Sequence, residues 1–152
     1  MHAREIRKGI EAIATVHWER RLFDSLIPLP DGTSYNAYIV RGSEATALLD
    51  TADPALGDEF MEQLQGVKRL DYVVSHHSEQ DHSGMIPKVL KRYPEAKLLC
   101  SAKAEDLLRT HLGVAADRIR VVGDGETVSL GDKTLRFIHT PWVHWPETMV
   151  TY

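Results

Sequence analysis

The chain has 152 residues, of which 43% are hydrophobic and 26% charged, a composition typical of a globular protein with one domain. Its net charge of -4 argues against a dedicated nucleic-acid-binding protein. No apolar run has the length of a membrane span, and the first residues lack the apolar core of a secretory signal, so we expect a cytoplasmic protein without a membrane anchor. The single cysteine, Cys100, excludes an internal disulfide and a cysteine-rich metal site.

The first part of the chain predicts strands followed by one helix. Residues 6–17 alternate unevenly between apolar and polar side chains and predict one extended segment, whereas residues 18–30 contain two prolines and predict an ordered loop. Residues 35–40 and 45–49 predict a hairpin around a turn at 41–44. A helix is then predicted over residues 55–64, because Asp53-Pro54 favours a helix start.

The remainder alternates strands with helices and then becomes antiparallel. Strands are predicted over residues 70–74, 97–100, 119–122, 134–138 and 149–152. The intervening helices are predicted over 83–92, with Ser83 as the N-cap, and over 102–112. Glycines at 123, 125 and 131 mark turns between the later strands. The whole pattern predicts an α/β fold with antiparallel strands at both ends.

Five ionisable side chains directly follow the strand predicted at 70–74, in the stretch His76-His77-Ser78-Glu79-Gln80-Asp81-His82. Two carboxylates this close would repel each other and raise a pKa, unless cations kept both ionised. On extended backbone, His77, Glu79 and Asp81 would project to one side and His82 elsewhere, because the strand period is two. The pattern therefore predicts the ligand loop of a two-metal site, with a solvated polar loop as the alternative.

A further candidate ligand, His144, lies far along the chain between two tryptophans and two prolines, in Pro141-Trp142-Val143-His144-Trp145-Pro146. Taken alone, His144 is as well explained as a packed core histidine. Combined with His77 and Glu79, it completes two histidines and one carboxylate, the ligand set of many non-haem Fe(II) enzymes. Zinc accepts the same ligand types, so these residues alone leave the metal open.

The pattern H-x-E-x-D-H, from His77 to His82, resembles the metal loop H-x-H-x-D-H of the metallo-β-lactamase superfamily. Glutamate in place of the second histidine is similar to the flavodiiron proteins of that superfamily. Other similar stretches are Arg21-Leu22-Phe23, Gly32-Thr33-Ser34-Tyr35-Asn36-Ala37-Tyr38, Asp81-His82-Ser83-Gly84 and His144-Trp145-Pro146. The resemblance extends from residue 18 to residue 152 and implies the N-terminal part of an αββα sandwich.

Flavodiiron proteins reduce dioxygen to water, or nitric oxide to nitrous oxide, at a non-haem diiron centre. The resemblance implies that His77, Glu79 and His144 bind one iron, and that Asp81 and His82 bind the other. It also implies FMN from a flavodoxin-like domain or a partner chain, a flavodoxin-like or rubredoxin-like electron donor, and a head-to-tail homodimer. Two alternatives stay open, a zinc-dependent hydrolase of the same fold and an inactive fragment of a flavodiiron protein.

The resemblance also implies that residues 1–152 form a diiron domain that is incomplete at its C-terminal end. The family places a bridging aspartate and a final histidine beyond residue 152, and a flavodoxin-like domain after them. Two Fe(II) ions carry twice the positive charge that Glu79 and Asp81 neutralise. We therefore expect the second ion to be held weakly.

Four other residues are candidates for supporting roles. Asp50 would orient the metal loop, since carboxylates beside metal sites commonly hold ligand histidines, or it is an ordinary aspartate at a strand end. His76 would support the metal ligands from behind or lie at the surface, and His139, near the presumed site, would coordinate or orient a substrate. Trp145 would shield the site or lie near an incoming flavin, with core packing as the more common role of tryptophan.

Overall fold

The computed structural model describes residues 3–152. Its strands are β1 (Arg4–Arg7), β2 (Ile10–His17), β3 (Leu22–Phe23), β4 (Ile27–Pro28), β5 (Thr33–Arg41), β6 (Thr46–Leu49), β7 (Tyr72–Val74), β8 (Lys97–Cys100), β9 (Ile119–Val121), β10 (Thr127–Ser129), β11 (Thr134–His139) and β12 (Met149–Thr151). Its α-helices are α1 (Gly57–Gln63), α2 (Gln80–Ser83), α3 (Ile86–Arg92) and α4 (Ala102–Leu112). Short 3₁₀ helices span Pro54–Leu56 and Ala116–Arg118.

Two sheets account for most of the strands. The larger sheet has seven strands in the order β1-β2-β5-β6-β7-β8-β9, and the smaller has three in the order β10-β11-β12. Strands β6 to β9 pair in parallel, whereas β1, β2, β5 and β6 pair antiparallel, as do the three strands of the smaller sheet. The predicted α/β class with antiparallel strands at both ends is confirmed.

Helices cover one face of the large sheet and the smaller sheet covers the other. On the helical face, Val73 of β7 belongs to the same buried cluster as Phe60 of α1. The next residue, Val74, points the opposite way and packs in a second cluster with Phe137 of β11. Successive strand residues face opposite sides of a sheet, so the apolar run of β7 is explained by burial on both faces. The layers are therefore helix, sheet and sheet, which are part of the predicted αββα sandwich.

Two N-terminal predictions need correction. The single extended segment expected at 6–17 is a hairpin, because Gly9 has φ of +73° and reverses the chain between β1 and β2. That backbone conformation is open to glycine and strained for most other residues. The loop expected at 18–30 contains the two-stranded ribbon of β3 and β4.

The helix predicted over 83–92 is also different in the structure. Ser83 ends the short helix α2 instead of capping the next one, and α3 begins only at Ile86, with Pro87 in its first turn. The Ser83 hydroxyl donates to the carbonyls of Ser78, at 2.8 Å, and Glu79, at 3.0 Å. These two hydrogen bonds explain why Ser83 belongs to the loop that precedes it.

The remaining helices agree with the sequence. Asp53 caps the 3₁₀ turn that precedes α1 by accepting a hydrogen bond from the Ala55 amide, at 2.8 Å. Helix α4 begins after its N-cap Ser101 and is terminated by Gly113, the residue after Leu112, whose φ of +66° suits a helix terminus. Within residues 3–152, none of the helices combines the length and apolar character that a membrane crossing requires.

The parallel strands β6, β7 and β8 end at the same edge of the large sheet. Asp50 follows β6, the loop at 75–79 follows β7, and Ser101 follows β8. The start of β12 reaches this edge too, since the amide of its first residue, Met149, donates to the His76 carbonyl at 3.0 Å. Carboxyl edges of this kind commonly carry the ligand site of α/β folds.

Candidate metal centre

Three side chains, those of His77, Glu79 and His144, converge at this edge. His77 Nε2 lies 3.1 Å from Glu79 Oε2 and 3.1 Å from His144 Nε2. His144 Nε2 lies 3.2 Å from Glu79 Oε2. Two imidazole nitrogens and one carboxylate oxygen therefore form a nearly equilateral triangle, which we call the ligand triangle. It joins the loop after β7 to a histidine 67 positions away.

Glu147 contacts the His77 ring at Nδ1, the ring nitrogen that does not belong to the ligand triangle. His77 Nδ1 lies 2.9 Å from Glu147 Oε1, and a carboxylate accepts hydrogen bonds, so Nδ1 is the donor. A neutral imidazole with its proton on Nδ1 keeps a lone pair on Nε2, which here points into the ligand triangle. That is the form in which histidine binds a metal ion.

The ligand triangle is suited to a cation. A lone pair on His77 Nε2 and the charged oxygen of Glu79 repel each other at 3.1 Å unless a proton or a cation lies between them. His144 can offer one proton from Nε2, whereas a divalent cation would satisfy all three atoms together. Two histidines and a carboxylate suit Fe(II), and zinc also accepts them.

Asp81 and His82 lie on α2 and not on extended backbone, so the expectation of one strand-like run through Asp81 was wrong. Glu79 is still extended, with φ of −61° and ψ of 143°, and the helical turn begins at the next residue. The backbone therefore changes direction directly after Glu79. The physical reason is that the His82 and Ser83 amides both donate to the Glu79 carbonyl, at 3.0 and 2.9 Å, and close the turn, with the Ser83 hydroxyl adding a further contact.

The Asp81 carboxylate lies beside the ligand triangle in a half-buried position. Its Oδ2 is 3.6 Å from His82 Nε2, and its Oδ1 has no hydrogen-bond partner within residues 3–152. Burial raises the pKa of the Asp81 carboxyl and the charge of Glu79 adds to this, whereas His82 and Arg20 oppose it. The ring centroids of His82 and His77 are 5.8 Å apart. Asp81 and His82 are thus neighbours of the ligand triangle but not members of it.

Asp50 contacts His76 at two points. Its Oδ1 accepts from the His76 backbone amide at 2.8 Å, and its Oδ2 lies 2.7 Å from the ring Nδ1. On the other side of the ring, His76 Nε2 lies 2.7 Å from the hydroxyl of Thr151 in β12. Asp50 therefore fixes the backbone of the loop through His76, while the carboxylate against His77 is that of Glu147.

Trp145 packs against the ligand triangle, whereas His139 is bonded elsewhere. The Trp145 ring centroid lies 4.9 Å from that of His77, with the planes at 87°, and 6.2 Å from that of His144. His139 Nε2 lies 3.1 Å from the Val122 carbonyl, to which it donates. The structure thus gives Trp145 a position at the site and gives His139 a backbone partner outside it.

Glu147 is the residue at this site that the sequence prediction missed. Its side chain is fully buried, with an exposed fraction of 0%. The one signal was an acidic residue within the otherwise uncharged stretch Trp145-Pro146-Glu147-Thr148-Met149. Glutamate is almost never fully buried without a partner, so such a position points to a specific contact.

The chain matches the family model described as "ODP family beta lactamase" over residues 33–152. It is 40% identical over 148 residues to the type A flavoprotein FprA of Rhodobacter capsulatus, covering 90% of this chain and 34% of that protein. It is 36% identical over 151 residues to a nitric oxide reductase of Moorella thermoacetica, covering 97% and 38% respectively. The chain thus spans little more than a third of the length of these curated relatives.

Solved structures give the same result. The rubredoxin oxygen:oxidoreductase of Desulfovibrio gigas has a TM-score of 0.92 and 32% identity, with 99% of this chain and 38% of that chain covered. The flavodiiron protein of Giardia intestinalis has a TM-score of 0.92 and 26% identity, with 100% and 37% covered. These likenesses confirm the predicted αββα sandwich. They also confirm the resemblance to flavodiiron proteins that the H-x-E-x-D-H pattern indicated.

Proposed function

Because the chain belongs to the ODP family of β-lactamase domains and is similar to flavodiiron proteins, we propose that it is the diiron domain of an oxidoreductase that reduces dioxygen to water or nitric oxide to nitrous oxide. The observation that carries the proposal is the ligand triangle, in which two histidine nitrogens and one carboxylate oxygen lie 3.1–3.2 Å apart. This set matches the two-histidine, one-carboxylate sites of non-haem Fe(II) enzymes.

In this proposal, His77, Glu79 and His144 hold one iron, and Asp81 and His82 contribute to a second. Bound iron supplies the one-electron chemistry that dioxygen or nitric oxide reduction requires. The carboxylate of Glu79 adds a negative charge where the zinc hydrolase pattern has a neutral histidine, and this favours oxidised iron. Asp81 and His82 alone offer two side chains, so we expect the second ion to bind more weakly than the first.

We also propose that electrons arrive from a flavin, as FMN in a flavodoxin-like domain, or from a rubredoxin-like protein. Support comes from the names of two relatives, the rubredoxin oxygen:oxidoreductase of Desulfovibrio gigas and the anaerobic nitric oxide reductase flavorubredoxin of Salmonella typhi. A head-to-tail homodimer would bring the flavin of one copy to the iron of the other. Both the dimer and a cytoplasmic location stay predictions.

Metal analysis of the purified chain tests this proposal. We expect anaerobic incubation with Fe(II) to give at least one tightly bound iron per chain, and we expect His77→Ala and Glu79→Gln to lose it. A matched control is His111→Ala, since His111 is an exposed histidine in the last turn of α4. Dioxygen or nitric oxide consumption with a reduced flavin donor is then measured on the iron-loaded chain.

The outcomes separate the proposal from its alternatives. Stoichiometric zinc binding without iron uptake would contradict the proposal and favour a zinc hydrolase. Iron binding with no consumption of dioxygen or nitric oxide above the flavin background would favour an inactive fragment. Iron binding with turnover that disappears in Glu79→Gln would support the oxidoreductase.

A further inference from the structure

We propose that Glu147 is a positioning residue that holds His77 in the tautomer required for metal binding and links the two segments that carry the ligand triangle. This inference rests on the proposed function, in which His77 is a metal ligand. Nothing in the relatives' names assigns a role to this glutamate. The proposed role is inferred from the hydrogen bonds of the buried Glu147 carboxylate.

One oxygen of Glu147 accepts two hydrogen bonds from the metal loop. Oε1 lies 2.9 Å from His77 Nδ1 and 2.9 Å from the backbone amide of Ser78. The first bond places the imidazole proton on Nδ1 and leaves Nε2 free to bind a cation. The second fixes the backbone directly after His77, so both the direction and the rotation of the ring are restrained.

The burial of Glu147 is unfavourable by itself, which argues against a simple packing role. Its side chain is fully buried, and its Oε2 has no hydrogen-bond partner within residues 3–152. Moving a carboxylate out of water is costly unless its partners compensate for the lost hydration. A leucine or methionine would fill the same space without that cost. The contact with His77 gives the carboxylate a function that an apolar side chain could not perform.

Glu147 is also fixed through its own backbone. Its carbonyl accepts a hydrogen bond from the Ser101 hydroxyl, at 2.7 Å, and Ser101 is the N-cap of α4. Glu147 follows His144 by only three residues. The same residue therefore connects the metal loop, the start of α4 and the segment that carries the third member of the ligand triangle. A change at Glu147 should alter the positions of His77 and His144 together.

The test compares Glu147→Ala and Glu147→Gln with the unchanged chain. Long-range ¹H–¹⁵N correlation spectra of the metal-free protein report which ring nitrogen of each histidine carries the proton, and His77→Gln identifies the His77 signals. We expect His77 to be protonated on Nδ1 in the unchanged chain and to become a mixture of tautomers in Glu147→Ala. Glu147→Gln should retain the Nδ1 proton, because the amide oxygen can accept from the same donors.

Metal affinity is the second readout, measured by titration with Co(II) and with Fe(II). Carboxylates that hold ligand histidines typically change metal affinity 10- to 100-fold, and we expect a loss of about that size in Glu147→Ala. The loss in Glu147→Gln should be smaller. The control is Ser101→Ala, which removes the bond to the Glu147 carbonyl but leaves the carboxylate against His77. It should lower stability without changing the tautomer of His77.

These measurements keep the two proposals distinguishable. If the unchanged chain binds iron and Glu147→Ala binds it equally well with the same His77 tautomer, the role of Glu147 is wrong and the proposed function stands. If no variant binds iron but Co(II) affinity and the tautomer change as expected, the role of Glu147 stands and the proposed function fails. If Glu147→Ala does not fold, Glu147→Gln decides through Co(II) affinity, since an affinity equal to that of the unchanged chain in that folded variant would overturn the inference.

Discussion

The Asp50 carboxylate holds both the backbone and the ring of His76, with contacts of 2.8 Å to the amide nitrogen and 2.7 Å to Nδ1. The next residue, His77, has its ring against Glu147 and within the ligand triangle. Adjacent histidines at the end of β7 therefore have separate functions. His76 fixes the loop to the sheet, and His77 is the proposed metal ligand.

This relationship predicts that Asp50 and His76 stabilise the fold as a pair. Asp50→Ala leaves two half-buried donors of His76, its backbone amide and its ring Nδ1, without their partner. We therefore expect a loss of about 2–3 kcal/mol in the free energy of unfolding. Alanine also fits poorly at Asp50, whose φ is +58°. Asp50→Asn should cost less, because asparagine tolerates this conformation and keeps one acceptor.

Urea unfolding of Asp50→Ala, His76→Ala and the double variant measures the coupling between the two side chains. We expect the double variant to be more stable than the sum of the single losses implies, by about 1 kcal/mol or more. Strictly additive losses would show that the two side chains stabilise the fold independently, which would contradict the prediction.

Two histidines on either side of the turn after β11 provide a matched pair for metal binding. His144 belongs to the ligand triangle, whereas His139 donates from its ring to the Val122 carbonyl. We expect His144→Ala to weaken Fe(II) or Co(II) binding by about 100-fold or more. His139→Ala should keep the affinity and lose about 1 kcal/mol of stability with its hydrogen bond. Equal metal affinity in both variants would remove His144 from the proposed ligand set.

The sequence was sufficient for elements whose local signals agree with their burial. Helix α4 has a serine at its N-cap and a glycine at its end, and it lies where the pattern predicts. The candidate metal loop was recognisable because its proposed ligands lie within six positions, from His77 to His82. His144 entered the set through its rigid surroundings and the family resemblance, since no local rule connects residues 67 positions apart.

The predictions that were wrong or incomplete, at α2 and at Glu147, have physical causes that a local residue pattern does not reveal. The turn of α2 depends on hydrogen bonds from Ser83 back to the carbonyls before it, and the pattern instead suggested a helix N-cap. The buried position of Glu147 depends on tertiary contact with His77. In both places, a side chain bonds to the preceding backbone or to a distant partner, and short-range rules do not describe such contacts.

Packing between the two sheets predicts different effects for two glycines. A Cβ on Gly42, after β5, would meet the carbonyl oxygen and Cβ of Leu130, whereas a Cβ on Gly66 would meet nothing within 4 Å. Leu130 is buried in the inter-sheet core, and its carbonyl accepts the Glu44 amide at 2.9 Å. We expect Gly42→Ala to destabilise the fold by about 1–3 kcal/mol through overpacking. Gly66→Ala should be neutral or stabilise by up to about 1 kcal/mol. Comparable unfolding midpoints for the two variants would contradict the close approach at Gly42.

The buried thiol of Cys100 predicts a loss of stability at high pH. Burial raises the pKa of this thiol from 9.0 to about 12, so the folded protein keeps it protonated under conditions where the unfolded chain releases the proton. Because the pKa of the thiol is higher in the folded protein than in the unfolded chain, its contribution to stability is fully present below the pKa of the unfolded chain. This contribution is lost as the pH rises towards the pKa of the folded protein. From pH 8 to pH 10 the loss is about 1 kcal/mol.

Cys100→Ala isolates this contribution, because every other titrating group is shared by the two proteins. The variant should be less stable at pH 8 by about 1 kcal/mol, owing to the small cavity left in the core. Its disadvantage should shrink or vanish by pH 10, since only the unchanged chain loses the thiol contribution. Urea midpoints of both proteins at pH 8, 9 and 10 measure this convergence. A constant difference across these values would mean that Cys100 ionises equally in the folded and unfolded states, which would contradict the prediction.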